Sequence, residues 1–127
     1  MRLLGIDYGT KNVGIALGDS EHKMAFPKTV LKSDKMLIIS LSKLCKRENI
    51  EKIVLGESRD YQGKENKVMP RVRELKVLLE EETGLPVVFE PEFMTSAEAE
   101  HLQGKNKMID ASAAALILKS YLDKNND

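Results

Sequence analysis

Asp7 ends a short apolar segment, Arg2–Asp7, and is followed by turn-forming residues that include Gly9. A carboxylate at the end of a buried strand lies at the rim of a sheet, where solvent can reach it. Hydrolysis of a phosphodiester is aided by two divalent metal ions about 4 Å apart, and magnesium prefers carboxylate oxygens as ligands. Asp7 is therefore a candidate metal ligand, the alternative being a structural Asx turn with Gly9 and Thr10.

Asp110 begins the last predicted helix, directly after a basic loop at residues 104–107. The small side chains of the following segment, Ala111–Ala115, would let this helix approach the sheet closely and bring Asp110 near Asp7. An acid in the first turn of a helix is also favoured by the helix dipole alone. Asp110 is thus either a second metal ligand or a residue that stabilises its own helix.

Glu57 and Glu92 are two further acids, and each follows the end of a predicted strand. Either residue could supply a third carboxylate, while an isolated glutamate after a strand is more commonly an ordinary loop residue. Glu98 lies on a short predicted helix and is assigned to solvent or to the support of a ligand.

Five basic residues are predicted to contact a phosphate chain. Arginine forks at the start of a helix, next to free backbone amides, suit phosphate binding, and lysines beside a carboxylate site can meet neighbouring phosphates. The alternative for each residue is a solvated surface charge. The five are Lys11 after the first turn, Arg71 and Arg73 at a helix start, and Lys105 and Lys107 in the loop before Asp110.

The elements that must position these residues follow the order βββαβαβαα. Three strands followed by strands alternating with helices predict an α/β fold, a mixed five-stranded sheet with helices on both faces. Pro27 predicts that the third strand is an edge strand or contains a bulge, and Ser33 is the predicted N-cap of the first helix. The predicted strands are Arg2–Asp7, Val13–Leu17, Ala25–Leu31, Lys52–Leu55 and Pro86–Glu90, and the helices run to about Glu48 and over Val68–Thr83, 95–102 and Ile109–Leu122.

The amino-acid composition restricts the classes of protein to which this chain can belong. A chain of 127 residues, 42% hydrophobic and 31% charged, predicts one globular domain over residues 1–127. Twenty basic and twenty acidic residues give no net charge, which argues against bulk coating of nucleic acid but not against local phosphate binding. Neither a signal peptide nor a membrane-spanning run is predicted. Cys45 is the single cysteine, so the sequence predicts no intramolecular disulfide and a reducing, cytoplasmic location.

Several ordered motifs resemble those of the YqgF family, also called the Holliday junction resolvase-like family. The resemblance covers nearly the whole chain. The motifs are Gly5-Ile6-Asp7-Tyr8-Gly9-Thr10-Lys11-Asn12-Val13-Gly14-Ile15-Ala16, Ile53-Val54-Leu55-Gly56 with Gly63, Pro70-Arg71-Val72-Arg73, the segment with Glu92, Thr95, Ser96, Glu98 and Ala99, and Asp110-Ala111-Ser112-Ala113.

This resemblance implies a ribonuclease H-like fold, dependence on Mg²⁺ or Mn²⁺, and phosphodiester cleavage in nucleic acid. It also implies trimming of the precursor of small-subunit ribosomal RNA, so RNA is favoured as the substrate over branched DNA. Carried over from the family, the catalytic and metal-binding acids are Asp7, Glu92 and Asp110. The expected assembly is a monomer or a homodimer.

The chain departs from the family pattern around two of its acids. Pro91 and Phe93 flank Glu92 where the family usually has an acid and an arginine, and Glu57-Ser58 replaces a common Leu-Pro pair. Glu57 is therefore the alternative third acid, because related junction resolvases place an acid at the end of the corresponding strand.

Three other functions remain to be compared with a ribonuclease. The first is a Holliday junction-type DNA resolvase. The second is a nucleic-acid-binding or ribosome-assembly module with weakened catalysis, which the changes around Glu92 allow. The third is a phosphotransferase or ATPase. Such an enzyme would need a second lobe to enclose its nucleotide, and 127 residues cannot supply that lobe.

Overall fold

The computed structural model describes residues 1–59, 68–93 and 108–125, with the backbone alone for residues 58, 59, 92, 93, 108 and 109. Five strands and three helices form this part of the chain. They are β1 (Arg2–Tyr8), β2 (Asn12–Asp19), β3 (Met24–Lys32), α1 (Leu37–Arg47), β4 (Lys52–Arg59), α2 (Met69–Thr83), β5 (Val87–Phe93) and α3 (Met108–Lys124). The predicted helix over residues 95–102 and the predicted turn over residues 60–63 lie outside the described residues.

The five strands form one mixed sheet in the order β3-β2-β1-β4-β5. β2 is antiparallel to both β1 and β3, whereas β4 is parallel to β1 and β5 is parallel to β4. The carboxyl ends of β1, β4 and β5 therefore share one rim of the sheet. We call this end the carboxyl rim. The predicted mixed five-stranded sheet is confirmed.

β3 is an edge strand with a register shift, as Pro27 predicted. Ile15 pairs with Thr29 and Ala16 pairs with Pro27, so Lys28 is the extra residue of the bulge. Proline donates no backbone hydrogen bond, which makes an edge or a bulge its usual place in a sheet.

The helices cover both faces of the sheet. α1 and α2 pack their leucines on one face, over core residues such as Ile6, Ile15 and Leu55. α3 packs on the other face, where Leu118 and Leu122 meet Leu3 and Val54. No helix in the described part of the chain is long and apolar enough to cross a membrane.

The predicted start of α1 at Ser33 is wrong. The N-cap residue is Met36, whose backbone N–H donates to Asp34 Oδ1 at 2.9 Å. The Ser33 hydroxyl instead donates to the Tyr8 hydroxyl at 3.1 Å. Asp34 thus forms an Asx turn that delays the helix, because its short side chain bonds the backbone two residues on.

β4 and β5 are longer than predicted. Gly56 and Glu57 continue β4, and Glu92 lies within β5, where the backbone register pairs it with Ser58. Parallel pairing between the two strands supplies backbone partners that the local sequence does not reveal. The expectation that Glu57 and Glu92 lie beyond the strand ends is therefore wrong, although both remain near the carboxyl rim.

Cys45 lies on the buried side of α1. Burial raises the pKa of its thiol to about 11, because an apolar environment disfavours the thiolate. Cys45 is a free, protonated core residue at neutral pH.

Candidate active site

Asp7 lies near the carboxyl end of β1, on the face of the sheet that α3 covers. Side chains alternate along a strand, and Leu3 packs in the α3 core while Leu4 and Ile6 pack under α1 and α2. Asp7 shares the alternation of Leu3 and is half-buried. Its carboxylate is thus directed toward the N-terminal end of α3.

Gly14 brings Asp110 against the strand that pairs with β1. Gly14 is directly opposite Asp7 in the antiparallel register, and side chains at opposed positions share one face. A Cβ atom at Gly14 would lie only 1.8 Å from the backbone oxygen of Asp110. The first turn of α3 therefore rests on bare backbone beside Asp7.

The rest of α3 also approaches the sheet through small residues. A Cβ atom at Gly5 would lie 2.9 Å from Leu118 Cβ and 3.0 Å from the Ala114 oxygen. Ala111 and Ala114 are fully buried in this contact. The predicted close approach is confirmed, and glycines of β1 and β2 contribute to it alongside the alanines of α3.

Glu57 lies on the face of the sheet opposite to Asp7. It shares its alternation with Ile53 and Leu55, which pack beneath α1 and α2, and it is half-buried. Gly56 is the β4 residue that follows the pairing of Leu55 with Ile6. The neighbour of Asp7 on β4 therefore carries no carboxylate. The side chain of Glu92 lies outside the described residues.

Three of the predicted phosphate-binding residues lie toward the carboxyl rim. Lys11 is exposed in the turn between β1 and β2. Because β4 and β5 are parallel, α2 runs back along the sheet and begins at this rim, with Arg71 and Arg73 exposed in its first turns. The rim thus carries both acidic and basic groups. Lys105 and Lys107 lie outside the described residues.

Residues 1–124 match the profile of the family described as "RuvX: Holliday junction resolvase". The chain belongs to this family. The resemblance to the YqgF family is confirmed, and the chain is a nuclease.

Two named relatives match the sequence of this RuvX family member over nearly their whole length. A protein of Dictyoglomus thermophilum named "Putative pre-16S rRNA nuclease" is 35% identical over 136 residues, covering 99% of this chain and 98% of the relative. A protein of the same name from Lactococcus lactis is 34% identical, covering 96% of this chain and 94% of the relative.

Solved structures show the fold. The RuvC structure of Thermus thermophilus has a TM-score of 0.59 at 18% identity, covering 98% of this chain and 96% of RuvC. The Fowlpox virus resolvase in complex with Holliday junction DNA has a TM-score of 0.58 at 15% identity, covering 98% of each chain. The predicted ribonuclease H-like fold is confirmed.

A second group of potential ligands in this RuvX family member lies at the opposite end of the sheet. Ligand atoms of Asp19, Glu21 and His22 lie within 4.8 Å of one another, but Asp19 pairs with Arg2 at the start of β1. His22 Nδ1 lies 2.9 Å from Asp19 Oδ2. This hydrogen bond raises the pKa of His22 and lowers the pKa of Asp19. These groups bind one another across a turn, far from Asp7.

Glu90 is a buried carboxylate on the α3 face that the sequence did not indicate as a functional residue. Its side chain is 4% exposed and accepts hydrogen bonds from Ser120 at 2.8 Å and from Lys124 at 2.5 Å. A buried carboxylate needs such partners. Glu90 is the last residue of the predicted strand Pro86–Glu90. A polar residue at that position is equally typical of an exposed strand end, so the sequence did not reveal its burial.

Proposed function

We propose that the chain is a divalent-metal-dependent ribonuclease that trims the precursor of small-subunit ribosomal RNA, with Asp7, Glu92 and Asp110 as its metal ligands. One observation carries the proposal. Asp7 and the first turn of α3 meet at Gly14, although 102 residues separate the two aspartates in sequence. This placement supports a shared anionic site at the carboxyl rim.

The groups at this rim fit a hard divalent cation such as Mg²⁺ or Mn²⁺. Asp7 and Asp110 supply carboxylate oxygens, are both half-buried, and lie where a rigid strand meets the start of a helix. When bound, such ions would neutralise charge that develops on the phosphate and lower the pKa of water. Asp7 and Asp110 would hold the ions and fix their positions relative to the sheet.

Glu92 is preferred to Glu57 as the third ligand. Glu57 lies on the strand face opposite to Asp7, so reaching the same ions would require its side chain to pass around the end of β4. The family pattern assigns the third acid to Glu92, which lies in the neighbouring strand β5.

Basic residues at the rim are assigned to the phosphates of the substrate. Lys11 in the β1–β2 turn would contact a phosphate close to Asp7, while Arg71 and Arg73 would hold the strand at the start of α2. Lys105 and Lys107 complete the proposed set from the loop before Asp110. These contacts would position the nucleic acid without reading its sequence.

RNA is preferred to branched DNA because relatives that share about a third of their residues with this chain, over nearly its whole length, are named for pre-16S ribosomal RNA. The solved structures named for Holliday junctions share less than a fifth of their residues with this chain and support the fold.

We assign the enzyme to the cytoplasm, with residues 1–127 acting as one nuclease domain.

Asp7→Asn is the first test. Loss of a residue that only supports a metal ligand typically costs about 10- to 100-fold, so loss of a ligand is expected to lower Mn²⁺-dependent cleavage of a pre-16S RNA fragment more than about 100-fold. The matched control is Asp19→Asn, which removes an acid at the opposite end of the sheet and should leave cleavage unchanged. Cleavage by Asp7→Asn at the wild-type rate would exclude Asp7 from the mechanism.

Separate Glu57→Gln and Glu92→Gln variants identify the third ligand. The proposal expects Glu92→Gln to resemble Asp7→Asn, and Glu57→Gln to retain most activity. The reverse result would assign the role to Glu57. Wild-type protein that binds the RNA equally well with a chelator and never cuts it would instead be a binding module.

A further inference from the structure

A groove runs between edge strand β3 and helix α1, on the face of the sheet opposite to Asp7. We call it the edge groove. Its β3 side consists of Lys28, Thr29 and Leu31, and its α1 side includes Ser40, Lys43 and Arg47. The hydroxyls and cationic side chains can donate hydrogen bonds to phosphate oxygens, and the leucine gives an apolar floor.

The edge groove is positively charged even though the chain has no net charge. Lys28, Lys43 and Arg47 supply three cations. The nearby acid is Glu48, whose side chain is 19% exposed and contacts Lys28 at 4.0 Å, Arg47 at 3.7 Å and Arg2 at 3.1 Å. The Glu48 carboxylate is thus shared by Arg2, Lys28 and Arg47. Lys43 forms no ion pair within the described part of the chain.

An exposed aromatic ring lies beside these cations. Phe26 is 47% exposed and pairs with Leu17, which packs in the core beneath α1. Because opposed residues of an antiparallel pair share a face, Phe26 lies on the same face as the edge groove, two residues before Lys28. Bases of single strands stack on such rings, while cations track the backbone.

The edge groove connects to the carboxyl rim through further lysines. Leu31 pairs with Val13, which pairs with Tyr8 next to Asp7, so β3 is two strand spacings from β1, about 10 Å. Lys32 pairs with Asn12, and the Ser33 backbone N–H donates to the Lys11 oxygen at 2.9 Å. Exposed Lys11 and Lys32 thus lie between the two sites, with Asp34 as the neighbouring exposed acid.

We propose that the edge groove binds the single-stranded flank of the RNA whose scissile phosphate lies at the carboxyl rim. This assignment rests on the proposed ribonuclease function and adds a second binding site to it. Lys28, Lys43 and Arg47 contact consecutive phosphates, and Phe26 stacks on a base. The enzyme would thereby favour a cleavage site that adjoins an unpaired segment.

The test compares Lys43→Gln and Phe26→Ala with a matched control, Lys46→Gln. Lys46 is an exposed lysine of the same helix that lines a different hollow, next to Cys45 and Asn49. Binding of 16-nucleotide and 4-nucleotide single-stranded RNA is measured over a range of salt concentrations with a chelator present. The edge groove binds through cations and a ring, so its contribution needs no divalent ion.

The expected result is weaker RNA binding by Lys43→Gln and Phe26→Ala. Lys43→Gln should reduce the slope of log affinity against log salt by about 0.7, equivalent to about fivefold at 0.1 M salt. Phe26→Ala should weaken binding by about fivefold or more. Three consecutive phosphates and one base fit within four nucleotides, so both RNA lengths should bind the two groove variants more weakly. Lys46→Gln should match the wild type with both lengths.

Two different failures can be distinguished. Metal-dependent cleavage by the wild type, combined with unchanged binding of 16-nucleotide RNA by Lys43→Gln and Phe26→Ala, would overturn the edge groove alone. Absence of cleavage would overturn the ribonuclease function whatever the groove binds. A concentration-dependent dimer abolished by Phe26→Ala, with RNA affinity unchanged, would assign the groove to a second copy and overturn the proposal.

Discussion

Gly14 determines where Asp110 lies. The carbonyl oxygen of Asp110 occupies the space in which any other residue at position 14 would place its Cβ atom, 1.8 Å away. Because the obstructing atom belongs to the backbone of α3, no side-chain rotation can relieve the overlap. A residue without a carboxylate therefore controls the distance between two acids of the proposed metal site.

Gly14→Ala is expected to force the first turn of α3 away from the sheet. Overpacking a core typically costs about 1–3 kcal/mol, and a backbone obstruction should reach the upper end of that range. Loss of Mn²⁺-dependent cleavage should accompany the loss of stability, because Asp110 would move relative to Asp7. Thermal unfolding and cleavage of the RNA fragment would measure the two effects.

Gly18→Ala is the matched control for that variant. A Cβ atom at Gly18 would meet Leu118 Cδ2 at 2.6 Å, which is the end of a flexible side chain, at the part of α3 remote from Asp110. This variant should also lose stability but retain cleavage at a temperature where it is folded. Equal loss of cleavage in both variants would show that Gly14 acts through general stability.

Helix α3 is fixed to the sheet at both of its ends. Its first turn rests on Gly14, and near its last turn the Tyr121 hydroxyl accepts a hydrogen bond from Lys52 Nζ at 2.7 Å. Lys124 and Ser120 bind the buried carboxylate of Glu90 on β5. The helix thus crosses from β2 to β5, and its C-terminal anchor helps to hold its N-terminal acid in place.

Lys124→Ala and Lys119→Ala compare two lysines of α3 that each contact a carboxylate. Lys124 pairs with Glu90, which is buried, whereas Lys119 pairs with Asp123, which is exposed. Losing the partner of a buried acceptor costs about 1–3 kcal/mol, with the lower half expected here because Lys124 is itself 58% exposed. An exposed pair contributes about 0–1 kcal/mol.

Thermal unfolding measures this difference. For a chain of this size, 1 kcal/mol corresponds to a change of about 4 °C in Tm. Lys124→Ala should therefore melt several degrees below Lys119→Ala. Identical melting temperatures would mean that Ser120 alone satisfies Glu90 and that the helix needs no second anchor.

On the scale of the whole molecule, acidic and basic residues balance in number, but charged residues gather into local groups of different sign. Proposed metal ligands lie at the carboxyl rim, cations lie along the edge groove, and a separate acidic turn with Asp19 and Glu21 lies at the opposite end. A net charge of zero is therefore compatible with local binding of both metal ions and phosphates.

Metal binding at the carboxyl rim should stabilise the whole fold. A ligand that binds only the folded state at 100 times its Kd contributes about 2.7 kcal/mol, so saturating Mn²⁺ should raise Tm of the wild type by about 10 °C. Asp7→Asn should lose this increase and Asp19→Asn should keep it. An increase that disappears only in Asp19→Asn would place the bound ion at the acidic turn.

The sequence alone determined the order of the described elements and the family. A short apolar segment predicted β1, and the predicted helix over Val68–Thr83 ends where Gly84 adopts a φ of 70°. Pro27 predicted the bulged edge strand. These features depend on residues close together in the chain. The motifs around Asp7 and Asp110 identified the family because each motif is a short run of residues and their order can be read directly from the sequence.

Only the tertiary structure decided which acids share a face. Parallel pairing of β4 with β5 extended both strands and placed Glu57 opposite to Asp7. A one-residue slip in the register of β4 would reverse that outcome. The anchoring of Glu90 and the contact at Gly14 likewise join segments distant in sequence. Such contacts depend on strand register and backbone approach, which no local pattern of residues encodes.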